Sequence, residues 1–104
     1  MWGYMTDREK VCEIGLFESI LLLKNVSEVE RFFKDLCTPQ EIRALIERWR
    51  VCQLLNEGNL SYRDIHDLTG ASLATIGRVA RFLKDEPYRG YEMVLQRRPK
   101  LNIK

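Results

Sequence analysis

The sequence holds little that would serve chemistry. One histidine, His66, and three cysteines, Cys12, Cys37 and Cys52, occur in 104 residues. Three is an odd number, and their wide spacing matches neither a metal-binding pattern nor a closed disulfide framework. Each thiol has apolar neighbours, so buried free cysteines in a reducing cytoplasm are expected. No Gly-rich phosphate loop occurs, and spacing brings no Ser or Cys nucleophile to His66. An enzyme, a catalytic residue and a metal site are therefore not expected, and His66 reads as a solvated helix residue. Long apolar runs are missing too. The longest, Ile20 to Leu23, falls far short of the ~20 residues a membrane span needs. Trp2 to Lys10 is polar and charged and has no cleavage site after an apolar stretch, which predicts no leader. Proline is confined to Pro39, Pro87 and Pro99, and period-two alternation is nowhere sustained. These absences leave an all-α chain of single-domain length, 1–104, expected in the cytoplasm and off the membrane.

Net charge, +2, is too small to argue from. Its distribution says more. Residues 1–60 carry eight Lys and Arg against ten Asp and Glu, 8 − 10 = −2. Residues 61–104 carry nine against five, 9 − 5 = +4, so the positive field that phosphate contacts need lies in the second half.

That half contains the most informative stretch, Leu60 to Lys84. Ser61 and Asp64 have the S-x-x-D spacing of a capping box, with Ile65 and Leu68 as the apolar stripe of a first short helix. Gly70 suits the left-handed residue after a helix end. Ser72 is a ready N-cap for a second helix. At about 100° per residue, Leu73, Ile76, Val79, Ala80 and Leu83 fall on one side of it, and Ala74, Thr75, Arg78 and Arg81 on the other. Two helices joined by a Gly-containing turn, with small, hydroxyl and Arg residues outward, are the helix-turn-helix arrangement. Small residues near the helix start allow entry into a major groove ~12 Å wide, and hydroxyls and Arg reach base edges and phosphates. An αα-corner packed into an ordinary core is the plainer reading of the same spacing.

Elsewhere, Arg8 to Lys24 reads as a first helix, apolar nearly all round from Val11 to Leu23. A chain of this size has little interior, so a partner chain is the expected cover. Ser27 and Glu30 predict a capped helix over Glu28 to Leu36. Thr38 as cap, Pro39 at the first helical position and Glu41 closing the box predict a helix to about Glu57, ended by Gly58. Ile42, Leu45, Ile46, Trp49 and Cys52 line one of its sides. Arg48 falls on an apolar flank. It reads either as a snorkelling or ion-paired side chain, or as an anion site, because an unpaired buried charge is very costly. Tyr88 to Arg98 reads as a last helix with Tyr91, Val94 and Leu95 inward, followed by a basic tail.

With these elements placed, the segment from Thr38 to about Leu95 resembles the tryptophan repressor superfamily. TPQEIRALIERWRVCQLLNEG followed by LSYRDIHDLTGASLATIGRVARFLK carries the likeness, the ATI-x-R core above all. FFKDLCTPQEI and YEMVLQRR are similar to its YerC/YecD-like branch. The resemblance implies a six-helix fold and an intertwined homodimer that binds double-stranded DNA as a transcriptional regulator, a repressor, on a near-palindromic operator. Two-fold symmetry would place half-sites ~34–36 Å apart. It implies DNA contacts at Ser61, Tyr62, Arg63, Ala71, Ser72, Ala74 and Thr75, to which the outward Arg78 and Arg81 are added. Thr38, Arg48, Arg78, Val79 and Phe82 match corepressor-pocket positions of the tryptophan-responsive members. Val79 and Phe82 are larger than the glycine and serine found there and would fill space an indole needs. The expectation is therefore no tryptophan cofactor, with Phe82 as a built-in stopper or with another small effector. The alternative class is a protein-interaction module in which the same two helices pack against a protein.

Overall fold

The computed structural model describes residues 14–99. Among them the chain is all-helical, with six helices and no strand: α1 Leu16–Ile20, α2 Val26–Leu36, α3 Pro39–Glu57, α4 Tyr62–Thr69, α5 Leu73–Lys84 and α6 Gly90–Arg97. The described residues fall into two compact units, 14–39 and 40–99.

In the first unit the helices start elsewhere than periodicity predicts. Within the described part of the expected Arg8–Lys24 helix, only Leu16–Ile20 is helical, and Arg8 to Glu13 lie outside the described residues. Gly15 is extended, at φ −76° and ψ 165°, so the helix cannot run back through it. The Gly15 carbonyl accepts from both the Ser19 N–H at 3.0 Å and the Ser19 hydroxyl at 2.8 Å. α2 is capped by Asn25 rather than Ser27. Asn25 Oδ1 accepts from the Glu28 N–H at 2.9 Å, while Glu28 Oε1 accepts from the Lys24 N–H at 2.7 Å. Asn is at least as good an N-cap as Ser, and its extended backbone starts the helix two residues early. Neither α1 nor α2 buries a residue, and Leu21, Leu22, Val26 and Leu36 are all exposed.

The second unit holds the core. α3 has the predicted bounds, Pro39–Glu57, and Gly58 follows it at φ +81°, a conformation that favours glycine. The predicted stripe of α3 is only partly inward. Leu45 and Ile46 are exposed, and the buried pair is Val51 and Cys52, near the C-terminal end. Those two pack with Ile65 of α4, Ala71 of the following turn, and Ile76 and Val79 of α5. Trp49, Leu54, Leu55, Leu60, Leu83, Tyr91 and Leu95 close the edges. Leu68 and Leu73, expected inward, are exposed, because the short α4 and the first position of α5 leave them at the rim. α6 starts at Gly90 rather than Tyr88, since Arg89 is left-handed at φ 59° and a helix cannot pass through it. The Arg89–Glu92 ion pair, at 2.6 Å, spans that start.

Burial pushes the Cys52 thiol from 9.0 up to about 11, against a smaller lowering by Arg98. The folded chain thus keeps a proton that the unfolded chain releases earlier. Stability from this group is intact below about pH 9 and falls as pH rises towards about 11. The loss is on the order of 2–3 kcal/mol over that window. Urea unfolding from pH 8 to 10 is expected to show a shallower alkaline decline in Cys52→Val than in the parent chain.

Candidate nucleic-acid interface

The turn between α4 and α5 is built almost entirely from local hydrogen bonds. At its upstream end the capping box forms as the spacing predicts. The Asp64 N–H donates to Ser61 Oγ and the Ser61 N–H to Asp64 Oδ2, both at 3.0 Å. Gly70 ends α4 at φ 76°, and its N–H donates to the His66 carbonyl at 2.8 Å. The Thr69 hydroxyl donates to the Ile65 carbonyl at 2.7 Å and accepts from the Ala71 N–H at 3.0 Å. His66 Nδ1 lies 2.7 Å from the Ala71 carbonyl. A carbonyl only accepts, so Nδ1 carries the proton. His66 is exposed on α4, as expected of a solvated helix residue, and its ring also clasps the turn. Ser72 then caps α5: its Oγ accepts from the Thr75 N–H and donates to Thr75 Oγ1, each at 3.1 Å.

These bonds satisfy the backbone where helix ends leave it unpaired, and they hold the two helices at a fixed angle. Ile65 below and Ile76 above the turn are fully buried, so the outer arc of α5 is set relative to the core. Ala74, Arg78 and Arg81 lie exposed on that arc and Thr75 is half-buried. On α4, Tyr62 is exposed and Arg63 reaches Asp67 at 3.7 Å, both side chains largely in water. Such a pair is worth little and does not hold Arg63 back from another partner.

Two of the sequence-derived positions lie in the core. The Ala71 side chain is fully buried, and Val79 is 1% exposed. Ala71 therefore has no side chain to offer DNA, and Val79 packs the interior instead of lining a pocket. Their neighbours Ile65 and Ile76 draw them in. Ser72 remains exposed, with its hydroxyl engaged in the cap. Thr38 lies in the first unit, and Arg48, Arg78 and Phe82 in the second.

Arg48 and Arg78 both act on one group, the Tyr91 hydroxyl. Burial raises its pKa, with Cys52 adding to the rise, and Arg48 and Arg78 oppose it. Tyr91 itself packs on Trp49 with ring centroids 6.2 Å apart. Phe82 is half-buried and stacks on Tyr88 at 6.3 Å and 13° between planes. The Arg78 guanidinium lies over the Phe82 ring at 4.4 Å and that of Arg81 at 5.0 Å. Arg78, Phe82, Tyr88, Arg89, Gly90 and Tyr91 line an open cleft of about 320 Å³. Tyr88 and Tyr91 were not among the sequence-derived site residues. The Pro-Tyr-Arg-Gly-Tyr run was the available signal, since Pro and Gly around an aromatic mark a turn rather than a helix start. Among the described residues no group of His, Cys, Asp and Glu is arranged to hold a metal ion, and no helix is long and apolar enough to cross a membrane.

Replacing Gly70 by alanine meets no atom within 4 Å of the new Cβ, so the cost is that of the left-handed backbone alone. Gly70→Ala is expected to lower unfolding stability by about 1–2 kcal/mol in urea titration. Ser61→Ala, which removes the cap, should cost about 1 kcal/mol.

Comparison with known proteins gives a consistent result. A family model described as Trp repressor protein matches residues 14–99. The uncharacterized protein YerC of Bacillus subtilis (strain 168) is 51% identical over 82 residues, which cover 79% of this chain and 77% of that protein. The Trp operon repressor homolog of Aliivibrio salmonicida (strain LFI1238) is 45% identical over 49 residues, 47% of this chain and 45% of that protein. A solved structure of a TrpR-like protein from Eubacterium eligens ATCC 27750 superposes with a TM-score of 0.74 at 45% identity, covering 79% of this chain and 82% of that one.

Proposed function

The chain belongs to the Trp repressor protein family, a family of transcription regulators, and on that premise we propose that it is a homodimeric, sequence-specific DNA-binding repressor acting on a near-palindromic operator. The observation that carries this reading is the two-sided α5. Ile76, Val79 and Ala80 are buried on one arc, and Ala74, Arg78 and Arg81 are exposed on the other, directly after a rigid, capped turn. On this reading α5 is the recognition helix of a helix-turn-helix and α4 braces it. The exposed Arg63 then takes the role of base reader, bidentate to a guanine, and Arg81 that of phosphate contact. Ser61, Tyr62, Ser72 and Thr75 flank the same surface.

The homodimer is supported by the first unit, whose helices bury no residue and in which Leu21, Leu22, Val26 and Leu36 are exposed. A second copy offers a self-complementary cover for such surfaces. On this reading no tryptophan is needed. Val79 belongs to the core, and Phe82 with Tyr88 occupies the side of Arg78 towards the cleft. The competing interaction-module reading draws on Leu68 and Leu73, exposed on the same two helices.

Selection of bound duplexes from a random pool supplies the operator. Arg63→Ala is then expected to weaken operator binding by about 1–3 kcal/mol while leaving random duplex nearly unaffected. Arg81→Ala should weaken both alike and reduce the salt slope by about 1. If selected and random duplexes bind equally and neither responds to salt, the repressor reading fails. Light scattering of the parent chain is expected to return twice the 12.3 kDa chain mass.

A further inference from the structure

The cluster around Phe82 does more than fill space. An arginine can be fixed in place by a carboxylate, but the carboxylate then cancels the charge that a phosphate would have met. An aromatic ring fixes it differently. The negative face of the ring attracts the delocalised charge and adds no opposing charge of its own. The guanidinium keeps its full charge and its N–H donors stay available to phosphate oxygens.

Arg78 is held in this second way. Its Cζ lies 4.4 Å from the Phe82 centroid, and among the described residues no carboxylate pairs with it. Arg81 is held in both ways, 5.0 Å from the same ring and 3.7 Å from Glu86. Phe82 is itself steadied from the next loop by Tyr88, nearly parallel at 13°. One ring, anchored on a second ring, thus organises two cations on the exposed arc of α5.

We propose that Phe82, backed by Tyr88, is a positioning residue for DNA binding: it pre-sets the Arg78 and Arg81 guanidinium groups to receive the phosphate backbone, so the chain supplies the order of its own cationic face. This rests on the DNA-binding reading above and deepens it. Phe82 touches no nucleic acid in this account and acts only through the two arginines. Contacts of this kind at exposed sites are worth a factor of about two to five each.

The test compares Phe82→Leu, which keeps apolar bulk and removes the ring face, with Phe82→Tyr, which keeps the ring. In the free protein, NMR of the arginine side chains should show ring-current shifts at Arg78 and Arg81 that vanish in Phe82→Leu and persist in Phe82→Tyr. Urea unfolding of each variant identifies any loss of folding. With duplex DNA, Phe82→Leu is expected to weaken selected and random sequences alike by about three- to tenfold. Phe82→Tyr should stay within about twofold of the parent. Placed in an Arg78→Ala, Arg81→Ala background, Phe82→Leu should have no further effect. An undiminished penalty in that background, or parent-like affinity of Phe82→Leu alone, overturns the proposal. If the parent chain binds no duplex at all, the DNA-binding reading fails and the positioning role falls with it; absence of the ring-current shifts in a chain that does bind sinks the positioning role alone.

Discussion

The contact that the rest of the molecule depends on is the burial of Ile65 and Ile76 against Val51 and Cys52, with Ala71 between them. Each of these side chains is fully withdrawn from water. Fully burying a large aliphatic side chain contributes roughly 1.5–3 kcal/mol, and interiors are packed too tightly to allow the helices another angle. Ala71 matters by being small, because a larger side chain at the turn would part α4 from α5. The hydrogen bonds of the turn are consistent with this packing rather than a substitute for it. His66, Thr69 and Gly70 close the backbone around a corner whose direction the apolar contact sets.

The outer surface follows from that constraint. With Ile76, Val79 and Ala80 turned inward, the helical repeat leaves Ala74, Arg78 and Arg81 no choice but solvent. What the repeat does not specify is how two long, mobile cations are ordered there. Acidic partners are used sparingly. Arg63 and Arg81 meet Asp67 and Glu86 only at 3.7 Å, in positions open to water. The contact of Arg78 is with an aromatic ring, 4.4 Å from its centroid. The surface thus keeps its positive charge while losing some of its disorder, a combination suited to a polyanion.

The first unit poses the opposite problem. Its leucines and valines have the composition of an interior, yet α1 and α2 bury none of them. In the proposed homodimer these side chains find their interior in a second copy, and dimerisation and folding of this unit become one process.

Local signals alone determined a good deal. The Pro39–Glu57 helix, the Ser61–Asp64 capping box, the left-handed Gly70 and the Ser72 cap are each written within four residues or so of where they act, and each has the predicted form. The family likeness was likewise carried by one continuous stretch. Where two local signals compete, as Asn25 and Ser27 do for the start of α2, adjacency cannot rank them. Tertiary structure decided which apolar residues are interior. Leu45, Leu68 and Leu73 have the same spacing as their buried neighbours and remain exposed, while Ala71, in the turn, is drawn into the core. It also decided that Phe82, Tyr88, Arg78 and Arg81 share one cluster, which the loop after α5 completes by laying Tyr88 on Phe82. Periodicity gives the direction in which a side chain leaves its own helix; what it meets there depends on other elements, whose placement no short stretch of sequence encodes.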